Sequence, residues 1–288
     1  GGYNTLQSDL SINFLAYGEM RGDAFYNNAF NVNADKVVNN SLDNNIFWAS
    51  WYNYYRVIKQ ANAVIKFTPQ VLEAGGISAE KADDVMGQAY CLRAFTYFWI
   101  IRIWGDAPLV TAPYLDSNDS FDLPKAAVAD IVEQIHSDLE NASNMIDKNS
   151  TSRTTFTQTA AYAINAHVYA WEHKYEETIN MADKVLTNTN YTLANLYDEK
   201  YTGTTDDVKN KNFKALVQAS EYAQIFNTGR SKESIFELAS NVADGDDQKN
   251  LTTYLAGSWP ILRPRPRFGK AIDAEGSTWR SAAIQEVA

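Results

Sequence analysis

The chain has 288 residues, 45% of them hydrophobic and 13% aromatic, with a formal net charge of -10. That hydrophobic content suffices for a packed core and excludes a globally disordered chain. The acidic balance excludes nucleic acid and anionic membrane surfaces, which call for clustered Lys and Arg, and leaves neutral ligands such as sugars open.

In chain order, a weak amphipathic helix is expected over 5–18, followed by an Asn- and Asp-rich connection over 20–46. The stretch "NIFWASWYNYYRVIKQANAVIKF" (45–67) predicts a helix with Trp48, Trp51, Tyr52, Tyr55, Ile58, Asn62 and Ile65 on one face. A third helix is expected over 85–104. Val85, Ala89, Leu92, Phe95 or Thr96, Trp99 and Ile103 form its apolar stripe, with Arg93 and Arg102 off it. Those arginines exclude a membrane span, and Gly105 and Pro108 supply the stop. The only cysteine, Cys91, lies in this helix and reads as a small buried hydrophobe, so no disulfide within the chain and no thiol-rich metal site can form.

A connection with three prolines fills 106–124. The next helix, 126–146, carries Val128, Ile131, Ile135, Leu139, Ala142 and Ile146 as its stripe, with Pro124 just before its start. Two more follow, 155–172 (Ala160, Ala163, Ile164, His167, Trp171) and 175–187 (Tyr175, Ile179, Ala182, Val185, Leu186), joined by a tight turn at His173-Lys174. "KALVQA" (214–219) and "SIFELA" (234–239) are the two strand-like pieces, and 241–288 reads as a long loop region. The fold class is mainly α, with paired helices, long loop excursions and little β.

Signals for catalysis are poor. His136, His167 and His173 lie on or beside helices without metal-ligand spacing, and no nucleophile-elbow, Walker or dinucleotide motif occurs. "DGDDQKN" (244–250) lacks the spacing and closing Glu of a calcium loop and reads as an acidic turn. No cofactor or metal is expected. Loop aromatics are the better lead. A flat ring covers the apolar face of a sugar, while Asn, Asp or Arg meets its hydroxyls. Loop 20–48 offers Tyr26, Phe30, several Asn and Trp48; loop 250–280 offers Tyr254, Trp259, Arg263 and Trp279. The expected ligand-binding set is Tyr26, Trp48, Tyr254, Trp259, Arg263 and Trp279.

Residues 160–193 resemble a tetratricopeptide helical hairpin, with His173-Lys174 in place of the repeat glycine and 85–104 plus 126–146 as a degenerate second copy. A wider resemblance rests on "AYCLRAFTYFWIIRIWGDAPLV". Its small-x-x-Leu-Arg-Ala-x-x-Tyr-Phe helix (Ala89, Leu92, Arg93, Ala94, Tyr97, Phe98) runs into an aromatic-Gly-Asp-x-Pro-Leu-Val turn (Trp104, Gly105, Asp106, Pro108, Leu109, Val110). This is similar to the hallmark of the SusD/RagB family of outer-membrane lipoproteins of Bacteroidetes. The helix before it, with Ala61-Asn62, the hairpin after it, and Glu233 to Glu237 resemble further family elements, together spanning most of 45–240.

The resemblance implies a single SusD-like domain over 1–288, with a helical-repeat core at about 45–190 and a loop-rich ligand side at about 190–288. It implies a non-enzymatic binder of oligosaccharide or another nutrient, lipid-anchored at the cell surface and partnered by a TonB-dependent SusC-like transporter. The anchor cysteine and signal peptide are not in this chain, and members of the family are usually longer. Two other readings stand beside it: a helical-repeat scaffold that binds peptide or protein, and an α-helical glycan-active enzyme. The family motif has a physical reading of its own. Arg93 binds nearby carbonyls or a carboxylate and fixes how the chain leaves its helix.

Overall fold

The structure is a computed structural model and describes residues 2–22, 25–115, 122–193, 230–238 and 262–264. The described residues are mainly helical, as the periodicities predict. The elements are α1 (Gly2–Thr5), a π-helical turn (Leu6–Leu10), α2 (Ser11–Tyr17), β1 (Phe25–Asn27), α3 (Val32–Val38), a 3-10 turn (Phe47–Ala49), α4 (Tyr52–Glu73), α5 (Ala79–Trp104), α6 (Val128–Met145), α7 (Gln158–Trp171), α8 (Tyr175–Leu186) and β2 (Leu262–Pro264). No described helix is long and apolar enough to cross a membrane. The chain divides into two compact units. One is formed by Gly1–Gln7, Trp51–Thr192 and Glu233–Ala239, the other by Ser8–Ser50, Leu193–Lys232 and Ser240–Ala288.

The first unit is a run of helices in which each packs on the next, from α4 to α8. α5 packs against both α4 and α6, which explains why the expected one-sided stripe is too narrow. Gly87, Cys91, Arg93, Ala94, Tyr97 and Ile100 are buried along with Ala89 and Leu92, as in any helix wrapped on several sides. Arg93, expected off the stripe, is only 3% exposed. Ser78 caps α5, its Oγ accepting from the Lys81 amide at 3.2 Å. Gly87 allows the close approach of α6's end: a Cβ there would meet Ile146 Cγ1 at 2.7 Å and the Ile146 backbone nitrogen at 2.9 Å.

α4 starts seven residues later than the sequence stripe implies, and its buried face is Tyr54, Val57, Ile58, Ala61, Asn62 and Thr68. Tyr52 therefore points outward. α6 follows its predicted stripe at Ile131, Ile135, Leu139, Ala142 and Ile146, and also buries Asp138. α7 is rotated from expectation: Ala160, Ala161, Asn165 and Val168 are buried, while His167 and Trp171 are exposed. The predicted hairpin forms with α8, and His173 takes the left-handed conformation (φ 63°) that the repeat's glycine would occupy. Residues 234–238 belong to no strand. Phe236 instead stacks on Phe156 (centroids 4.3 Å apart), and Glu237 N donates to the Arg153 carbonyl. The other strand-like piece, 214–219, and the acidic turn 244–250 lie outside the described residues.

The second unit corrects the expectation of an unbroken loop over 20–46, because it contains β1 and α3. Ile12, Ala16, Met20, Ala34, Val37, Ile46 and Trp48 pack together as a small core. β1 pairs antiparallel with β2, with Phe25 opposite Pro264, Tyr26 opposite Arg263 and Asn27 opposite Leu262.

Candidate functional site

In the second unit, the segment from β1 to the 3-10 turn is held by asparagine side chains. Asn27 clamps the loop that follows β1: its Nδ2 donates to the Asn31 carbonyl (2.9 Å) and its Oδ1 accepts from the Asn31 amide (3.2 Å). Asn31 caps α3, its Oδ1 accepting from the Ala34 amide at 2.9 Å. Asn33 Oδ1 accepts from the Phe47 amide at 2.9 Å and ties the 3-10 turn to the first turn of α3. Lys36 and Asp43 form an ion pair at 2.6 Å that closes the α3-to-turn connection.

These staples present apolar side chains to water. Phe30 is 95% exposed and sits at φ 55°, a left-handed conformation unusual for a bulky residue. Phe47 is 75% exposed, and Val32, two residues after Phe30, is exposed as well. The amide oxygens of Asn31 and Asn33 are used in the staples, while their Nδ2 groups make no hydrogen bond among the described residues. Exposed rings next to neutral hydrogen-bond donors are suited to an uncharged polyol with apolar faces.

The expected ligand residues fall out differently. Tyr26 is half-buried in β1, and its Cα partner across the ribbon is Arg263, so two separately chosen positions share one register step. Trp48 is a correction. It is 2% exposed and packs in the core with Ile12, Met20, Val37 and Ile46. Its carbonyl accepts from the Tyr17 hydroxyl at 3.1 Å. Burial wins here because the 3-10 turn sends adjacent rings opposite ways, Phe47 out and Trp48 in. Tyr254, Trp259 and Trp279 lie outside the described residues. Phe47 was missed because a helix drawn from residue 45 hides it. The polar run Asp43-Asn44-Asn45, with Ser50 just before the true start of α4, is the sequence signal for the break.

In the first unit, a depression of about 660 Å³ lies between Ser78, Asp84, Asn144, Asp147, Lys148 and Gln158, and no aromatic side chain lines it. It lacks the stacking surface that the second unit offers. The buried polar centre of the first unit is structural. Arg93 reaches Asp138 with two nitrogens, and it also donates to Asn62 Oδ1 (2.6 Å) and the Thr111 carbonyl (3.0 Å). Asn62 Nδ2 in turn donates to the Val110 and Ala112 carbonyls, and the Tyr97 hydroxyl accepts from the Val110 amide at 2.7 Å. Asp106 Oδ1 accepts from the Val128 amide at 3.0 Å, occupying one of the free N–H groups at the start of α6. The Arg-to-Pro motif is thus a clamp on the exit from α5, as the sequence reading of Arg93 expected.

Residues 3–170 match the profile of a family, SusD-like, described as starch-binding and associating with the outer membrane. The chain belongs to the SusD-like family. Among curated relatives it is 26% identical over 197 residues to SusD-like protein P38 of Formosa agariphila, an alignment covering 66% of this chain and 37% of that protein. A SusD superfamily structure from Bacteroides thetaiotaomicron superposes with a TM-score of 0.71 at 19% identity, over 95% of this chain and 60% of the other. A structure described as a laminarin-binding SusD-like protein gives 0.70 at 17% identity, over 95% and 62%. The two likenesses show a SusD-like fold, and the chain spans just over a third of the length of P38.

Proposed function

We propose that this SusD-like chain captures a neutral oligosaccharide at the cell surface and passes it to a TonB-dependent outer-membrane transporter, without performing chemistry on it. The observation that carries the reading is the pair of exposed rings, Phe30 and Phe47, held by the asparagine staples of Asn31 and Asn33, whose Nδ2 groups make no hydrogen bond among the described residues. The rings cover the C–H faces of a sugar and the amides donate to its hydroxyls. Tyr26, whose Cα partner across the β1–β2 ribbon is Arg263, is a further candidate contact, and Arg263, Tyr254, Trp259 and Trp279 complete the proposed ligand-binding set. Membership in an outer-membrane-associated family supports surface display through a lipid anchor and a SusC-like partner. The laminarin-binding neighbour supports a polysaccharide as cargo.

The test is titration calorimetry with laminarin and a panel of other neutral and acidic glycans. Phe30→Ala and Phe47→Ala should each weaken the best neutral ligand at least tenfold, or about 1.4 kcal/mol. Unchanged affinity in both variants sinks the site, and peptide binding without glycan binding would establish a scaffold instead. New reducing ends after incubation with the polysaccharide would overturn the non-catalytic reading.

A further inference from the structure

Arg102 lies two residues before the end of α5, on its solvent side. Its guanidinium carbon is 4.2 Å from the Phe98 ring centroid and 4.3 Å from that of Trp99, and its Nε donates to the Phe98 carbonyl at 3.2 Å. Its Nη1 and Nη2 groups have no acceptor among the described residues. Other arginines are engaged: Arg21 with Asn40, Arg93 with Asp138, and Arg153 with the Thr151 and Asn190 carbonyls. On the same Phe98 ring, Trp171 of α7 packs edge-on, centroids 6.3 Å apart at 84°, and Trp171 remains 40% exposed.

Burial against the rings works against the guanidinium charge, and with only a smaller opposing effect from Tyr54 it holds the pKa below the usual arginine value. The cation is therefore partly stripped of water and fixed in direction, yet has no carboxylate partner among the described residues, in a chain of net charge -10. A guanidinium held this way loses little further entropy or hydration when it meets an anion, and its planar fork matches a carboxylate. Trp and Arg together are also the residue types that dominate binding energy at protein interfaces.

We propose that Arg102 and Trp171 form a docking surface for a protein partner that sets an Asp or Glu carboxylate against Nη1 and Nη2 and an apolar side chain on Trp171. A protein fits better than an acidic sugar because the guanidinium already covers the Phe98 and Trp99 rings. A sugar needs such open ring faces, whereas a helix or loop needs only the fork and the edge of Trp171. The surface lies in the first unit and does not depend on the glycan reading of the second.

The test places p-benzoylphenylalanine at His167, an exposed position one turn before Trp171, in the protein as produced by its host, and maps light-induced adducts by mass spectrometry. The expected adduct is a protein segment carrying an Asp or Glu. Its yield falls at least tenfold with Arg102→Gln or Arg102→Glu. Changing the partner's acid to Arg restores it in the Arg102→Glu background. Melting temperatures of the Gln and Glu variants, compared with the parent, separate lost docking from lost folding. Absence of a protein adduct, or an adduct indifferent to both variants in folded protein, overturns the proposal. Polygalacturonate binding that disappears with Arg102→Gln overturns it in favour of an acidic glycan.

Discussion

Arg93 and Asp138 meet side-on between α5 and α6, Nε to Oδ2 and Nη2 to Oδ1 both at 2.7 Å, with both side chains buried. Burial pushes the Asp138 carboxyl up, and the Arg93 fork and Gln134 only partly offset that, so the carboxylate depends on its partner. Removing one member of a buried pair strands the other, at about 3–5 kcal/mol. Arg93→Met and Asp138→Asn should each lower the stability of the first unit by that amount in urea unfolding. The double variant Arg93→Met/Asp138→Leu should recover much of the loss. It will still leave Asn62 Oδ1 and the Thr111 carbonyl without their donor, so the loop at 108–112 should become more open to protease than in the parent.

Glu172 carries the acid sensitivity of the α7–α8 turn. Its Oε2 is 2.6 Å from His136 Nε2 and its Oε1 is 2.8 Å from Lys174 Nζ. Burial pushes its carboxyl up, but the bonds from Lys174 and His136 win and hold it below the ordinary value of 4.5. A carboxyl depressed in the folded state stabilises above its unfolded pKa, and that stability is lost as pH falls through the folded value. The urea midpoint should therefore drop as pH is lowered below 4.5. Glu172→Gln should flatten that drop, and an equal slope in parent and variant would contradict it.

The helices were legible because their periodicity was strong, and α6 shows why. One face meets the core and the other meets water, so Ile131, Ile135, Leu139 and Ala142 carry the pattern plainly. α5 was legible as a helix but not in its packing. Neighbours on several sides bury Arg93 and Tyr97 with the aliphatic residues, and a charge in a three-residue step reads as surface until its partner on α6 is known. Asp138 was hidden for the same reason. Trp48 and Phe47 were indistinguishable by type; a 3-10 turn of three residues decided which ring faced the core, and so short an element leaves no period to detect. The asparagines of loop 20–48 were noticed as polar, but their role as staples depends on pairs such as Asn33 and Phe47, 14 residues apart.

The α7–α8 turn stores strain that a substitution can release. His173 is left-handed at φ 63°, where an L side chain crowds its own carbonyl by about 1–2 kcal/mol. Glycine removes that crowding, though its freer unfolded chain offsets about 0.4–1 kcal/mol. His173→Gly should raise the urea midpoint of the first unit modestly. At Gly105 (φ 73°) the logic reverses: a Cβ meets nothing within 4 Å, so Gly105→Ala should destabilise through backbone strain alone, by about 1–3 kcal/mol.

Phe30 and Trp48 should separate cleanly into binding and stability. Trp48 fills the small core of the second unit, so Trp48→Ala should cost about 3–5 kcal/mol and lower affinity for the proposed glycan only as far as the unit unfolds. Phe30 is strained at φ 55° and almost wholly in water, so the fold gains nothing from its ring. Asn tolerates the left-handed region, and Phe30→Asn should stabilise the unit by up to about 1 kcal/mol. The same variant removes a stacking face, and its glycan affinity should fall at least fivefold. Unfolding curves and calorimetry on the two variants check both halves. A Phe30→Asn protein that is more stable and still binds at full strength would show that the strained ring serves something other than the sugar.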